Sequence, residues 1–280
     1  MSDEKTQYEI VIKPPKKGLI GIDFEELWRY RELAWVFALR DIKVRYKQTF
    51  IGIAWAVLQP VMTVVIFNFV FGRLAKIPSE GVPYPLFSFI GVSFWTYFST
   101  SLTNASNSVV SNEGIIKKIY FPRLILPISS ALTPLVDFVI SLLIFAGMLI
   151  FYGYMPTLVG ILLLPLLTLL AFLSSAGIGL ICASLNLRYR DIRYVLPFFV
   201  QLGMYATPVI YPATLLEGRF HWILTINPMT GVIEAARAGF LGMGAINYGL
   251  LLISGLISLG LFFFGMIRFR KTERLFADVV

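Results

Sequence analysis

The 280-residue chain is apolar and basic, with 57% hydrophobic residues, 14% charged residues and a formal net charge of +8. Soluble domains contain about 25% charged residues, so this composition excludes an ordinary soluble protein and indicates an all-α integral membrane protein. The basic residues lie in short clusters beside apolar runs, which favours a role in membrane topology over nucleic-acid binding. The single cysteine, Cys182, excludes an intrachain disulfide and a multi-cysteine metal site.

The N-terminal part of the chain precedes the first apolar run, which begins near Phe50. Its acidic residues, Asp3, Glu4 and Glu9, do not fit the pattern of a cleavable signal peptide. We therefore expect residues 1–22 to form a cytoplasmic tail.

Residues 23–48 are predicted to form one amphipathic helix, because Asp23 and Glu26 have the spacing of a capping box. A basic amphipathic helix with tryptophan on its apolar side is typical of the membrane interface plane. The alternative is a helix packed under the bundle without contact to lipid. On a helical wheel the apolar and the charged side chains take opposite faces, with Phe24, Leu27, Trp28, Trp35, Ala38, Leu39, Ile42 and Tyr46 against Glu25, Arg29, Glu32, Arg40, Lys43 and Lys47.

Residues 49–280 are expected to form a six-helix transmembrane domain. A span needs roughly 20 mostly apolar residues, and six segments qualify: 51–73, 86–110, 124–152, 157–185, 195–211 and 246–267. Of the 24 lysines and arginines, 20 lie in the N-terminal part, in two turns at 111–124 and 186–194, and in the C-terminal tail. Because positive residues stay on the cytoplasmic side, we expect both termini and these two turns to be cytoplasmic.

The turn at 111–124 has an unusual composition for a connection between spans. Isoleucines alternate with Lys117 and Lys118, and Phe121-Pro122 ends the segment. This piece is too short to span and too apolar for a solvated loop. We interpret it as a small helix on the cytoplasmic surface that is offered to another protein. The alternative is a lysine-flanked turn that only sets topology.

Two features inside the predicted spans stand out. Asp137 is the acid placed well inside a span, and such a residue is a functional candidate by default. The alternative is that it lies near enough to the membrane face to find a partner. The fourth span carries small residues at four-residue spacing, which favours close helix packing: Ser175, Gly179 and Ala183.

The region 212–245 follows the fifth span, which Thr207-Pro208 interrupts. It holds two partly apolar pieces, separated by Asn227-Pro228, and each is too short to cross a bilayer. Irregular backbone at membrane depth needs cover from protein or a water-filled cavity. We therefore predict a re-entrant helical hairpin on the outer side, with an ordinary amphipathic surface hairpin as the alternative.

Several chemistries are absent from the sequence. It contains no P-loop motif, and His221 is the only histidine, so a self-contained nucleotidase, hydrolase or metalloenzyme is not expected. We expect neither catalytic residues nor a resident cofactor or metal. A secondary transporter would need coupling residues inside the spans, for which Asp137 is the single candidate, and the sequence shows no inverted repeat. A membrane transferase would need paired acids or a base in a cleft.

Five segments in order resemble one family: NEGIIKKIYFPR at 112–123, LNLRYRDI at 185–192, P-x-x-x-Q at 197–201, TPVIY at 207–211 and INPM at 226–229. From about Phe24 to the C-terminus, the chain is similar to the membrane subunit of ABC-2 type polysaccharide exporters, the Wzm-type O-antigen and teichoic-acid permeases. The resemblance implies a homodimer of six-helix subunits in the bacterial cytoplasmic (inner) membrane. Two separate ATPase subunits would bind ATP and magnesium.

The resemblance also implies roles for particular residues. The segment 111–123 would be a coupling helix that inserts into a groove of the ATPase, while Arg190 and Asp191 would order the inner mouth. The residues that transmit closure of the ATPase would be Asn112, Glu113, Lys117, Lys118, Phe121 and Pro122.

The cargo implied by the resemblance is a glycan on a polyprenyl diphosphate lipid. Aromatic faces stack on sugar rings, and the alternative for such aromatics is a belt that faces lipid headgroups. An ABC-2 exporter of a small apolar compound and, further removed, a secondary transporter are the alternative functions. The candidate residues of the translocation pathway are Phe94, Trp95, Tyr97, Phe98, Gln201, Tyr205 and Tyr211.

Overall fold

The computed structural model describes most of the chain, and this part folds into helices without a strand. The predicted tail at 1–22 and the capping residue Asp23 lie outside the described residues. The all-helical fold predicted from composition is confirmed over the described ranges, which are 24–47, 53–189, 191–216 and 221–273.

Twelve α-helices follow one another in the described ranges. A π-helical turn, Asn68–Leu74, extends α3, and a 3₁₀ turn, Ala213–Leu216, precedes α10. The helices are α1 (Phe24–Arg29), α2 (Arg31–Lys47), α3 (Ile53–Phe67), α4 (Tyr84–Ser111), α5 (Glu113–Ile116), α6 (Ile125–Leu132), α7 (Leu135–Tyr152), α8 (Leu158–Asn186), α9 (Ile192–Ala206), α10 (His221–Ile226), α11 (Pro228–Leu241) and α12 (Tyr248–Glu273).

Over the described residues, four of the six predicted spans meet both the length and the hydropathy expected of a membrane-crossing helix. α4 has the length of a span, at 28 residues, but its many hydroxyl and amide side chains lower its hydropathy. α9 ends after 15 residues, because Thr207 takes an extended conformation before Pro208. The six-span count therefore stays a prediction. In the described chain four stretches meet both criteria: Ala54–Leu74, Ile125–Tyr152, Leu158–Asn186 and Tyr248–Thr272.

The N-terminal helix is divided at Tyr30, where a turn separates α1 from α2. α2 packs against α6 and buries Phe37 and Ala38. Trp28 and Trp35, which were predicted to share the apolar face of Ala38, remain 70% and 61% exposed. Only one edge of the predicted apolar face is buried, because α2 contacts the bundle along that edge. The location of the exposed part of this face at the membrane interface stays a prediction.

α4 lies at the centre of the bundle, where it packs against α6, α7, α8 and α11. The rings of Phe94 and Tyr97 lie 4.9 and 5.0 Å from the ring of Phe138 on α7. Phe89 stacks on Phe145 with ring centroids 6.0 Å apart. Since lipid chains are as apolar as these side chains, the packing is stabilised by close van der Waals contact and not by exclusion of water.

Small residues allow α8 to approach two neighbouring helices closely. A Cβ atom added to Gly265 of α12 would lie 2.4 Å from the carbonyl oxygen of Gly177 on α8. A Cβ atom added to Gly179 would lie 2.5 Å from the Cβ of Ala105 on α4. The small-residue stripe predicted in this span is therefore a packing surface, and it lies against α4.

Gly265→Leu is expected to lower stability by about 2 kcal/mol or more, because overpacking of a close contact typically costs that much. The thermal midpoint in detergent, followed by fluorescence-detected size exclusion, should fall together with the yield of folded protein. Gly260→Leu is the matched control, since a Cβ atom added at Gly260 of the same helix meets no atom within 4 Å. Equal midpoints for the two variants would contradict the close approach of α8 and α12.

Two short helices, α10 and α11, occupy the region predicted to form a hairpin. Asn227 begins α11, and its side-chain oxygen accepts a hydrogen bond of 3.0 Å from the Met229 N–H. α11 packs against α4, α8 and α12, and the Thr157 hydroxyl at the start of α8 donates to the Gly239 carbonyl at 2.8 Å. Because other helices enclose α11, the non-helical backbone at its two ends is shielded by protein. The depth of this helix pair in the membrane stays a prediction.

Candidate functional site

The turn at 111–124 contains a one-turn helix, α5, with a charged outer side. Glu113 and Lys117 form an ion pair of 2.8 Å, and both side chains are half-exposed. Lys118 and Tyr120 are exposed beside them. An ion pair this exposed contributes little to stability. The charged side of α5 therefore lies at the surface of the protomer.

The other predicted coupling residues face inward. Phe121 and Pro122 are buried, and the ring of Phe121 lies 5.5 Å from that of Phe37 on α2. The Arg40 guanidinium of α2 donates to the side-chain oxygen of Asn112 at 2.7 Å. The six predicted residues thus fall into two groups. Glu113, Lys117 and Lys118 are exposed, whereas Asn112 and Phe121 contact α2 and Pro122 is buried beside them.

Asp137 lies at the start of α7, and α2 also reaches this residue. The Tyr46 hydroxyl donates to one oxygen of Asp137, and the Arg45 guanidinium lies 2.8 Å from the other. Partial burial, together with the Asp137 hydrogen bond, raises the pKa of Tyr46 to about 12. Asp137 therefore has two partners on α2, while its depth in the membrane and its functional role stay predictions.

α2 therefore connects the turn at 111–124 with the first turn of α7. One end of the connection is the Arg40–Asn112 hydrogen bond and the Phe37–Phe121 ring contact. The other end is the pairing with Asp137. These links could not be predicted from the sequence, because Arg40 is one of several charges on the polar face of an amphipathic helix.

A polar face runs along α4. Between Phe94 and Val109 the half-buried side chains are all hydroxyls or amides, and every other residue is buried. Two of the hydroxyls bond back to the helix, with Ser99 donating to the Thr96 carbonyl at 3.1 Å and Thr103 to the Ser99 carbonyl at 2.8 Å. Asn107 accepts a hydrogen bond of 3.2 Å from the Asn186 amide on α8, and a polar side chain without such a partner is costly against lipid. The members of this face are Thr96, Ser99, Thr100, Thr103, Asn104 and Asn107.

The aromatic residues predicted along the pathway are placed in two environments. Within one protomer Phe94, Trp95, Tyr97 and Phe98 are buried, because their rings pack against α7, against α9 or against each other. Tyr205 is 51% exposed on α9, Gln201 is exposed on the same helix, and the half-buried Tyr211 donates its hydroxyl to the Tyr205 carbonyl at 3.0 Å. The pathway role of all seven stays a prediction.

Of the predicted inner-mouth pair, Arg190 lies outside the described residues. Asp191 is exposed and stands immediately before α9. The pairing of these two residues stays a prediction.

A buried arginine holds together the segments around the end of α9. Arg237 of α11 is 1% exposed, and it donates to the carbonyls of Pro208 and Val209, at 2.7 Å each, and to the Glu234 carboxylate at 2.9 Å. Its guanidinium also lies 3.6 Å from the ring centroid of Phe87 on α4. The arginine provides hydrogen-bond donors for backbone carbonyls of the non-helical segment that follows α9.

Burial lowers the pKa of Arg237 to about 10, against the opposing effect of the adjacent Glu234 carboxylate. Burial raises the pKa of Glu234, against the effect of the arginine. The guanidinium is therefore charged at neutral pH. Sequence reasoning missed this cluster, although a Glu-x-x-Arg pair in an otherwise apolar piece gave a signal for it.

The described fold defines a helical membrane protein that crosses the bilayer several times. The family of ABC-2 type transporters matches residues 32–241. The chain therefore belongs to the ABC-2 type transporter family, as its sequence motifs predicted. In this family such a chain is a transport subunit, and a separate subunit supplies the ATPase.

Comparison with known proteins adds named relatives. The chain is 30% identical over 252 residues to the O-antigen export system permease protein RfbA of Klebsiella pneumoniae, which covers 89% of this chain and 95% of that protein. It is 29% identical to RfbA of Myxococcus xanthus, over 77% of this chain and 82% of that protein. It is 23% identical to the polysialic acid transport protein KpsM of Escherichia coli, over 84% of this chain and 91% of that protein.

Proposed function

We propose that this chain is the permease subunit of an ATP-driven exporter that moves a lipid-linked polysaccharide across the bacterial cytoplasmic membrane. Its similarity to permeases named for O-antigen and polysialic acid transport supports this cargo class. Two copies of the chain would pair around a two-fold axis, and each would bind one ATPase subunit, which holds ATP and magnesium. α4 and α9 would complete six spans, with both termini in the cytoplasm and α10 and α11 as a re-entrant hairpin on the outer side.

The observation that carries this proposal is the polar face of α4. A row of hydroxyls and amides on a membrane helix is costly against lipid and suits a water-filled path. Hydroxyls both donate and accept hydrogen bonds, so they can exchange partners with sugar hydroxyls of any stereochemistry. We assign this face, from Thr96 to Asn107, to the wall of the translocation pathway.

α9 supplies the second wall in this proposal. Gln201 and Tyr205 are exposed on the protomer, so they present an amide and an aromatic ring to the space between two copies. Tyr211 holds the end of this wall through its hydrogen bond to the Tyr205 carbonyl. Stacking of a sugar ring on an aromatic side chain contributes about 1 kcal/mol per contact, which can guide a polymer and still let it slide. The buried rings of Phe94, Trp95, Tyr97 and Phe98 would support the wall from behind.

The free energy of ATP hydrolysis would be transmitted to the permease through the charged side of α5. In this proposal Glu113, Lys117 and Lys118 engage the ATPase, while Phe121 and Pro122 seat the turn against α2. Closure of the ATPase would then move α2, and α2 would move α7 through Asp137. Asp191 and Arg190 would order the inner mouth at the start of α9.

Replacing Thr96, Thr100 and Thr103 by valine is expected to reduce glycan export at least about tenfold, because the isosteric change removes three hydrogen-bonding groups from the path, each worth about 1 kcal/mol. Export is measured as glycan at the cell surface, and lipid-linked glycan should accumulate inside. Thr168→Val is the matched control, since this half-buried threonine of α8 bonds back to the Leu164 carbonyl. Unchanged export with a normal permease level would show that the face does not line the path.

A further inference from the structure

The polar face of α4 ends at Asn107, which is tied to the end of α8. Asn107 lies about one turn, or about 6 Å, before Ser111, the last residue of α4. Its side-chain oxygen accepts a hydrogen bond of 3.2 Å from the amide nitrogen of Asn186. Asn186 is the last residue of α8 and is only 2% exposed. Water therefore has little access to this amide, and its orientation is set by protein groups.

One backbone carbonyl fixes the orientation of both amides. The Asn186 nitrogen also donates to the carbonyl oxygen of Ser106 at 3.2 Å. A carbonyl oxygen can only accept, so the nitrogen of Asn186, and not its oxygen, lies on this side. Its second hydrogen engages the oxygen of Asn107. The amide nitrogen of Asn107 makes no hydrogen bond within the described chain, so it is the group that this half-buried residue leaves to a molecule in the path.

The two ends of the polar face therefore present different chemistry. The hydroxyls of Thr96 and Ser99 can donate and accept, whereas Asn107 presents N–H donors while its oxygen is engaged. Such a group favours a ligand rich in acceptors, and a hydrogen bond to a charged oxygen is about twice as strong as one between neutral groups. Arg188, which follows closely after Asn186, is exposed and has no ion pair among the described residues. This end of the path therefore suits an anion.

We propose that Asn107 binds the phosphate oxygens of the diphosphate that carries the exported glycan, and that Asn186 is a positioning residue that orients the Asn107 amide. In the proposed orientation the end of α4 lies at the cytoplasmic face, and the diphosphate of a membrane lipid lies at the same depth. This inference rests on the proposed function, because it takes the polar face as the path and a lipid-linked glycan as the cargo.

The first test is the KM of ATP-driven transport by the reconstituted permease–ATPase complex, with an undecaprenyl diphosphate-linked glycan as the cargo. Asn107→Asp keeps an oxygen for the Asn186 amide and replaces the free amide nitrogen by a second carboxylate oxygen. KM should rise at least about tenfold, because a hydrogen bond to a charged group is lost and a like charge is introduced. The value of kcat should stay within about twofold, since the lost contact is a binding contact.

Asn247→Asp is the matched control for this substitution. The exposed Asn247 precedes α12, and its side-chain oxygen accepts a hydrogen bond of 3.0 Å from the Leu250 N–H. The control adds the same charge and keeps an accepting oxygen, so its KM should equal that of the wild-type complex. An Asn107→Asp variant with the KM of this control would overturn the site.

A double-mutant cycle tests the role of Asn186. Asn186→Ala alone should raise KM about threefold or more, and it should have no further effect on KM in the Asn107→Ala background, because residues in one hydrogen-bond network are coupled. Effects of the two substitutions that add would show that Asn186 only supports the structure. That result would overturn its positioning role.

Retention of glycan-free undecaprenyl diphosphate in nanodiscs, counted by native mass spectrometry, separates this inference from the proposed function. The wild-type complex should retain at least about tenfold more of this lipid than Asn107→Asp. Glycan transport by the wild-type complex with equal retention by the two proteins would overturn the diphosphate site alone. Preferential retention by the wild-type complex without any glycan transport would contradict the proposed function and still support the site.

Discussion

Arg237→Leu is expected to destabilise the permease by about 3–5 kcal/mol, which is the usual cost of breaking a buried charged pair by removing one partner. The substitution leaves the Glu234 carboxylate without its counter-ion and removes the donors to the Pro208 and Val209 carbonyls. Membrane abundance should collapse, and the thermal midpoint of any purified protein should fall sharply. Both are measured by fluorescence-detected size exclusion.

Arg237→Lys is the informative control for this prediction. Lysine keeps the charge beside Glu234 but lacks the planar fork that reaches two carbonyls at once. We expect it to be intermediate in midpoint between the wild-type protein and Arg237→Leu. A midpoint and abundance for Arg237→Leu within error of the wild-type values would show that this cluster does not hold the end of α9 in place.

Exchanging the charges of the exposed pair, by Glu113→Lys with Lys117→Glu, is expected to uncouple ATP hydrolysis from export. The exchange preserves an ion pair at the same spacing within the chain, so α5 itself changes by only a few tenths of a kcal/mol. An ATPase surface complementary to the original charges would face like charges, which costs several kcal/mol. Export per ATP hydrolysed should fall at least about tenfold, since each 1.4 kcal/mol of lost complementarity corresponds to a factor of ten.

The matched control for this exchange is Glu25→Lys with Arg29→Glu on α1. This pair has the same spacing, with 3.9 Å between the charged groups, and both side chains are more exposed than those of Glu113 and Lys117. The control should export normally. Normal export by the Glu113 and Lys117 exchange would show that the turn sets topology only.

The sequence was sufficient for features that depend on local patterns. Apolar runs predicted the helical membrane fold, and Thr207-Pro208 predicted the break that ends α9. The polar face of α4 was also accessible in principle, because Thr96, Ser99, Thr103 and Asn107 recur at the three- and four-residue spacing of a helix.

Features that depend on tertiary contact were not accessible from the sequence. The rings of Phe94 and Tyr97 read as pathway candidates, yet Phe138 of α7 encloses them within the protomer. The Glu-x-x-Arg spacing draws attention to Arg237, but it does not show that the carbonyls of Pro208 and Val209 lie beside the guanidinium. In each case the partner lies in another segment of the chain, and helical periodicity carries no information about which segment that is.

The most direct test of the proposed function is transport by purified components in liposomes. The permease and its ATPase are reconstituted together, ATP is added outside, and entry of a fluorescent lipid-linked glycan into the lumen is followed. We expect transport that requires ATP and both subunits, with no ATP hydrolysis by the permease alone. Transport driven by a proton gradient without the ATPase would contradict the proposal, as would ATP-dependent uptake of a small apolar dye without any uptake of the glycan.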